Sequence, residues 1–210
     1  MDPLGSLIEW AAPVGLPGLF AIGAMERIVP VLPSYGLLVA IGIGAADNLW
    51  PAPLAILAVT SGSTAAYCAC YAVVTALGEA RSRPLLHWSA RLLGFPPDHH
   101  AHWVEACRQH LAPIAFGSQL VPTVRLLTPV IAGVLRAKPR TFLLASAAGI
   151  AVWNTLFIGL GFLAAQATSE VNASTLALEL LAGLIAVEAL AVLAWRRLRN
   201  AASRQTSIHP

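Results

Sequence analysis

FGSQLVPTVRLLTPVIAG, residues 116–133, places one arginine, Arg125, in an apolar run with no other charge, broken by Pro122 and Pro129. A charge in hydrocarbon costs several kcal/mol, about 2.5 to 3.5 on insertion scales, so an arginine persists there by facing a protein cavity or binding an anion. The apolar arms on either side of the break, Leu111 to Leu120 and Arg125 to Leu135, would each reach roughly 15 to 17 Å as helices, against a hydrocarbon core of about 30 Å. Two readings follow. In the preferred one, residues 111–140 form a helical hairpin that enters and leaves on one side of the bilayer. In the other they form a single proline-kinked helix, which neighbours can support by satisfying the freed carbonyls.

Composition sets the class. Of 210 residues 57% are apolar and 11% charged, against about 25% charged in soluble domains. With a mean hydropathy of +0.71, this predicts an all-α integral membrane protein and speaks against a nucleic-acid partner. Met1 to Ala12 carries Asp2 and Glu9 rather than a basic leader, so no cleavable signal peptide is expected. Cys68, Cys70 and Cys107 fit neither a disulfide framework nor a CxxC pair.

Leu4 to Ala12 reads as a short interfacial segment. Residues 15–46 repeat the broken pattern, with Pro17, Glu26, Arg27, Pro30 and Pro33 interrupting arms Leu16 to Met25 and Ser34 to Ala46. Ala52 to Gly78 is a charge-free span whose centre, Thr60 to Ala66, is built of small residues suited to close helix packing, Gly62 and Ala66 among them. Glu79 to His110 is polar, and its run DHHAHWVEACRQH (98–110) reads as a solvated basic helix rather than a metal site, for lack of a closed four-ligand pattern. Thr141 to Gln166 is a second span and residues 174–195 a third, the latter holding Glu188, for which an interhelix hydrogen bond is the plainer reading. The tail 196–210 is basic.

With the tail in the cytoplasm, the Arg and Lys residues at 81–108, 136–140 and 196–204 all lie inside and none falls in the outer loops, as the positive-inside rule requires. Arg27 and Arg125 lie within the broken stretches. Hairpin 15–46 then enters from outside and 111–140 from inside, each followed by a span. Together with the 174–195 span, this gives an inverted repeat of two re-entrant hairpin-plus-span units, an architecture whose substrate site lies where the broken segments meet. Helix N-termini there would favour an anion.

MERIVPVLPSYGLLVAIG (25–42), SGSTAAYCACYAVVTALG (61–78), and FGSQLVPTVRLLTPVIAG followed by the span with Trp153 and Gly159 to Gly161, resemble in that order the DedA family, also called the SNARE-associated or VTT-domain family, over residues 15–166. The resemblance implies bacterial inner-membrane, multi-pass proteins that move lipid carriers such as undecaprenyl phosphate, often with proton dependence; eukaryotic relatives are lipid scramblases. It matches Glu26 to the family's first-hairpin acid, Pro30 and Pro33 to its prolines, Arg125 to the second arginine of its phosphate-side motif, and Pro122 and Gly133 to that motif's frame. Two positions depart: Tyr35 stands where an acid is usual, and Gln119 where an arginine is usual. Loss of the acid puts proton coupling in question. We expect Tyr35 and Gln119 to form a neutral replacement for an ion pair, sharing a hydrogen bond across the hairpins.

The expected function is therefore a translocase for an anionic lipid or polyprenyl phosphate. Arg125, Gln119 and Thr123 are the candidate phosphate-binding residues, and Glu26, Tyr35 and Arg27 the candidates for proton or charge coupling. Pro30, Pro33, Pro122, Pro129 and Gly133 frame the hairpins. The plainer alternative for Glu26 is a structural ion pair with Arg27 or Arg125, and for Arg125 a counter-ion to Glu26. A passive scramblase and a proton-driven exporter of small ions or drugs stay open as functions. A lipid-phosphate enzyme is disfavoured by the lack of a phosphatase motif or an acidic magnesium cluster. No catalytic residue, metal or cofactor is expected, and a homo-oligomer stays open.

Overall fold

The computed structural model describes residues 12–29, 34–77, 110–167 and 182–183, with the backbone alone at Ala12, Pro122 and Thr123. The interfacial segment before residue 12, Pro30 and Pro33, the histidine-rich run up to residue 109, the 174–195 span with Glu188 apart from residues 182–183, and the basic tail lie outside the described residues. Among the described residues there are six α-helices and no strand: α1 (Leu16–Ile28), α2 (Ser34–Ala46), α3 (Ala52–Ala76), α4 (Leu111–Ser118), α5 (Pro122–Val134) and α6 (Pro139–Ala167).

At 1.5 Å per residue, α3 and α6 are about 38 and 43 Å long, and both are apolar enough to cross a bilayer. Their polarity is arranged for lipid rather than water. Leucines face outward, Leu144 being 73% and Leu163 62% exposed, while Ser63, Ser146 and Asn154 are fully buried. The other four helices are too short to cross a core of about 30 Å.

Between α4 and α5 the chain is broken rather than kinked. Gln119 and Leu120 form a turn and Val121 is extended (φ −114°, ψ 111°), so the continuous-helix reading fails. The arm expected to reach Leu120 stops at Ser118, and the arm expected to begin at Arg125 begins at Pro122. Proline suits a first helical position, where no N–H is needed. Pro129 lies inside α5, where its ring nitrogen cannot bond the carbonyl of Arg125 one turn earlier. In the first half, α2 has the expected bounds, but α1 runs on past Met25 to Ile28 and takes Glu26 and Arg27 into its last turn.

Helix α1 buries Leu19, Ile22, Gly23 and Glu26, a single stripe at positions i, i+3, i+4 and i+7. That stripe packs along α3, and α4 packs correspondingly along α6. The second arms are exchanged: α2 lies along α6 and α5 along α3. Close approach depends on missing side chains. A Cβ on Gly23 would strike the backbone of Val59, and one on Gly62 that of Phe20; between α2 and α6 the same holds for Gly42 against Ile158 and Gly161 against Val39. The packing role expected of Gly62 is what the structure assigns it.

The second arms also end alike. After α2, Asn48 is left-handed (φ 61°), with Asn48 N–H bonding Ala45 O and Leu49 N–H bonding Gly44 O. After α5, Arg136 is left-handed (φ 50°), with Arg136 N–H on Gly133 O and Ala137 N–H on Ala132 O. Both are Schellman stops. In each half a proline follows three positions later, Pro51 or Pro139, at the start of the long helix. Tyr71 Oη donates to Ala137 O at 2.7 Å and fastens the second of these turns to α3.

Candidate functional site

The short helices bring their charged residues to the interior between the two long ones. Glu26 is 2% exposed and Arg125 4%. Arg27 Nε lies 3.2 Å from Glu26 Oε1, with both side chains buried. Its position in the last turn of α1 also sets its charge against the negative end of the helix dipole. Glu26 Oε1 accepts a second contact from Ser63 Oγ at 3.1 Å, and Ser63 Oγ is 3.1 Å from Gly23 O. Asn154 Nδ2 reaches Thr60 Oγ1 at 3.3 Å and Ser63 Oγ at 3.5 Å, tying α6 to the same spot.

From Arg27 the network crosses to the other half. Arg27 Nη1 donates to Gln119 Oε1 at 3.0 Å. Gln119, fully buried in the α4–α5 turn, donates through Nε2 to Tyr67 Oη at 2.9 Å and to Ser118 Oγ at 3.2 Å. Ser146 Oγ donates to the same Tyr67 Oη at 3.2 Å. Tyr67 is held by stacking on Phe142 at 5.7 Å.

The Tyr35–Gln119 hydrogen bond expected from the sequence is therefore not the one formed. Gln119 is engaged by Arg27, Tyr67 and Ser118, while Tyr35, only partly buried, packs against the apolar cluster around α2. The phenol that Gln119 needs comes from Tyr67 on the long helix.

Arg125 sits in the first turn of α5 and donates through Nη2 to Ser34 Oγ, the first residue of α2, so the starts of the two second arms meet. Its guanidinium carbon stands 4.9 Å from the Trp153 ring centroid, a cation–π contact. Glu26 is ion-paired to Arg27 alone among the described residues. Arg125 Nε and Nη1, Arg27 Nη2 and Glu26 Oε2 are buried without a hydrogen-bond partner among the described residues. Such donors and acceptors are costly to bury unpaired, and more so on charged groups.

The structure thus joins Glu26, Arg27 and Gln119 by direct contacts, holds Arg125 against Ser34 and Trp153, and leaves Tyr35 out. Gly133 packs under Val74 and Tyr71. Thr123 has its backbone in the first turn of α5, and its side chain lies outside the description. Sequence reasoning missed Tyr67, Ser34, Ser118, Ser146 and Asn154 as members of the site and took Ser63 for packing. A signal was present: Thr60, Ser63 and Tyr67 recur at helical spacing in a charge-free span, marking one polar face in hydrocarbon. Among the described residues no cluster of His, Cys, Asp or Glu could hold a metal ion.

No curated protein and no solved structure is matched by the chain. The family model of the VTT domain matches residues 32–163, from the segment before α2 to the second half of α6, and the chain belongs to that family, the DedA or SNARE-associated family of membrane proteins.

Proposed function

We propose that the protein is a translocase for an anionic lipid, of the polyprenyl-phosphate or phospholipid kind, and that Arg125 and Arg27 bind its phosphate. The observation that carries this reading is the set of buried N–H groups on the two guanidinium groups, Arg27 Nη2 and Arg125 Nε and Nη1, that have no partner among the described residues. Guanidinium geometry suits phosphate oxygens, and two arginines beside one carboxylate leave a net positive charge that a phosphate monoanion would cancel.

On this reading α1–α2 and α4–α5 are re-entrant hairpins of opposite orientation, each preceding a spanning helix, in a bacterial inner membrane with the C-terminus in the cytoplasm. The exchanged packing of the second arms and the paired Schellman stops support such a repeat. The headgroup exchanges its hydration for Arg125 and Arg27 while its hydrocarbon stays in the bilayer. Glu26 holds Arg27 in place and sets the charge of the path.

The test is translocation of reporter-labelled undecaprenyl phosphate in proteoliposomes. The native chain moves the lipid and Arg125→Ala does not. Dependence on an imposed pH gradient indicates coupling, and independence a passive scramblase. A native chain that moves no such lipid, or an Arg125→Ala variant that moves it equally well, overturns the reading.

A further inference from the structure

A cavity of about 400 Å3 opens between α4, α5 and the start of α6, beside the central charged site, with which it shares Ser118. Its walls are Leu111, Ile114, Val124, Ile131, Leu135 and Phe142. The two hydroxyls in the wall are already committed to their own helices: Ser118 Oγ lies 2.8 Å from Ala115 O and Thr128 Oγ1 2.7 Å from Val124 O. A water molecule needs two to four polar partners, so a cavity with this lining suits hydrocarbon and not water.

Its mouth has the opposite character. Arg136 and Lys138 line it, both exposed. Arg136 occupies the left-handed position of the stop that ends α5 (φ 50°), a place that glycine fills with least strain. A long cationic side chain retained at such a position points to a use for the side chain.

We propose that this cavity binds one hydrocarbon chain of a phosphate-bearing lipid, with Arg136 and Lys138 taking the phosphate. Apolar walls under a cationic rim match an anionic amphiphile in both parts. At its inner end Ser118 accepts a hydrogen bond from Gln119, the residue that holds Arg27, so a lipid here lies one residue from the central site, in the position of a substrate about to enter. That role as an entry site rests on the translocase reading; the binding does not.

The experiment uses the full chain in phosphatidylcholine nanodiscs and phosphatidic acid carrying a diazirine in its acyl tail, with mass spectrometry locating the label. The label falls on peptides of α4, α5 and the start of α6, and is competed by unlabelled phosphatidic acid but not by added phosphatidylcholine. Each basic residue near an anionic headgroup is worth about fivefold in binding, so Arg136→Gln with Lys138→Gln raises the competing concentration roughly 25-fold. Ala132→Trp, which fills the cavity, removes the label; the two exposed substitutions test the site even if that variant fails to fold. Arg125→Ala retains the label, so loss of central-site transport and loss of this site are separate results. Equal labelling by a phosphatidylcholine probe, label spread over the outward leucines of α3 and α6, or no effect of the Arg136 and Lys138 changes overturns the proposal.

Discussion

Glu26→Gln keeps the shape of the side chain and removes only its charge, which isolates the electrostatic role of the one carboxylate in the central network. In the native protein Glu26 Oε1 lies 3.2 Å from Arg27 Nε and 3.1 Å from Ser63 Oγ. The amide oxygen of glutamine can still accept from Ser63, so that contact survives. What is lost is the counter-charge to Arg27, whose side chain is 4% exposed. Breaking a buried pair from one side typically costs about 3–5 kcal/mol, because a lone charge is left behind. Arg27→Gln should cost a similar amount, since it strands Glu26 and also removes the bond to Gln119 Oε1. The double change leaves no stranded ion at the pair, and its cost should fall to about 1–2 kcal/mol, well short of additivity. Unfolding free energies from mixed-micelle detergent titration of the four proteins measure the coupling. Strict additivity, with the double variant losing as much as the two singles together, would show that Glu26 and Arg27 do not stabilise one another and would refute this account of the network.

Other outcomes follow from the same contacts. Gly161→Ala places a Cβ against the Val39 backbone and should destabilise by about 1–2 kcal/mol, overpacking outweighing the gain in helix propensity; Gly159→Ala, two residues away with nothing within 4 Å, should stabilise by about 0.5–1 kcal/mol, and the same titration reads both. Tyr67→Phe leaves Ser146 Oγ without its acceptor and Gln119 Nε2 with only Ser118, an expected loss of about 1–3 kcal/mol, together with slower lipid transfer in proteoliposomes as Gln119 loosens its hold on Arg27. Arg125→Lys cannot both stack on Trp153 and bond Ser34; a loss of about 1.4 kcal/mol in headgroup binding corresponds to tenfold, so transfer at limiting lipid should fall at least about tenfold. Arg136→Gly relieves a left-handed arginine and should raise stability by about 1 kcal/mol, measured by the same detergent titration.

Much of the fold was legible because membrane constraints act locally. The bounds of α2 follow from an apolar run between a proline-serine pair and a polar loop, and the break before α5 follows from Pro122, which cannot donate to a preceding turn. The end of α1 was misread for an instructive reason. Charged residues look like the end of a buried helix, but Glu26 neutralises Arg27 locally and the pair is carried inside. The partner of Gln119 was beyond reach of the sequence. Tyr35 and Tyr67 are both phenols in apolar segments, and only the packing of α3 against α6 and α5 decides which one faces the α4–α5 turn.

That choice of partner bears on how the chain manages without the two charges that the resemblance leads one to expect. The resemblance leads one to expect an arginine at 119 and an acid at 35, and Gln119 and Tyr35 remove one charge of each sign. The contacts suggest another arrangement. A guanidinium does reach position 119, but it comes from Arg27 on α1 and is received by the Gln119 carbonyl oxygen at 3.0 Å. Glutamine suits this use better than arginine, since it offers an acceptor to Arg27 and donors to Tyr67 and Ser118 at once, whereas an arginine there has donors only and would repel Arg27. With Arg27 so placed, Glu26 balances it, and among the described residues the buried cation without a carboxylate partner is Arg125, which bonds Ser34 next to position 35. On the translocase reading Arg125 is the cation that must stay free for the phosphate, so Tyr35→Glu alone should compete with the lipid for Arg125 and slow transfer rather than restore a lost proton pathway.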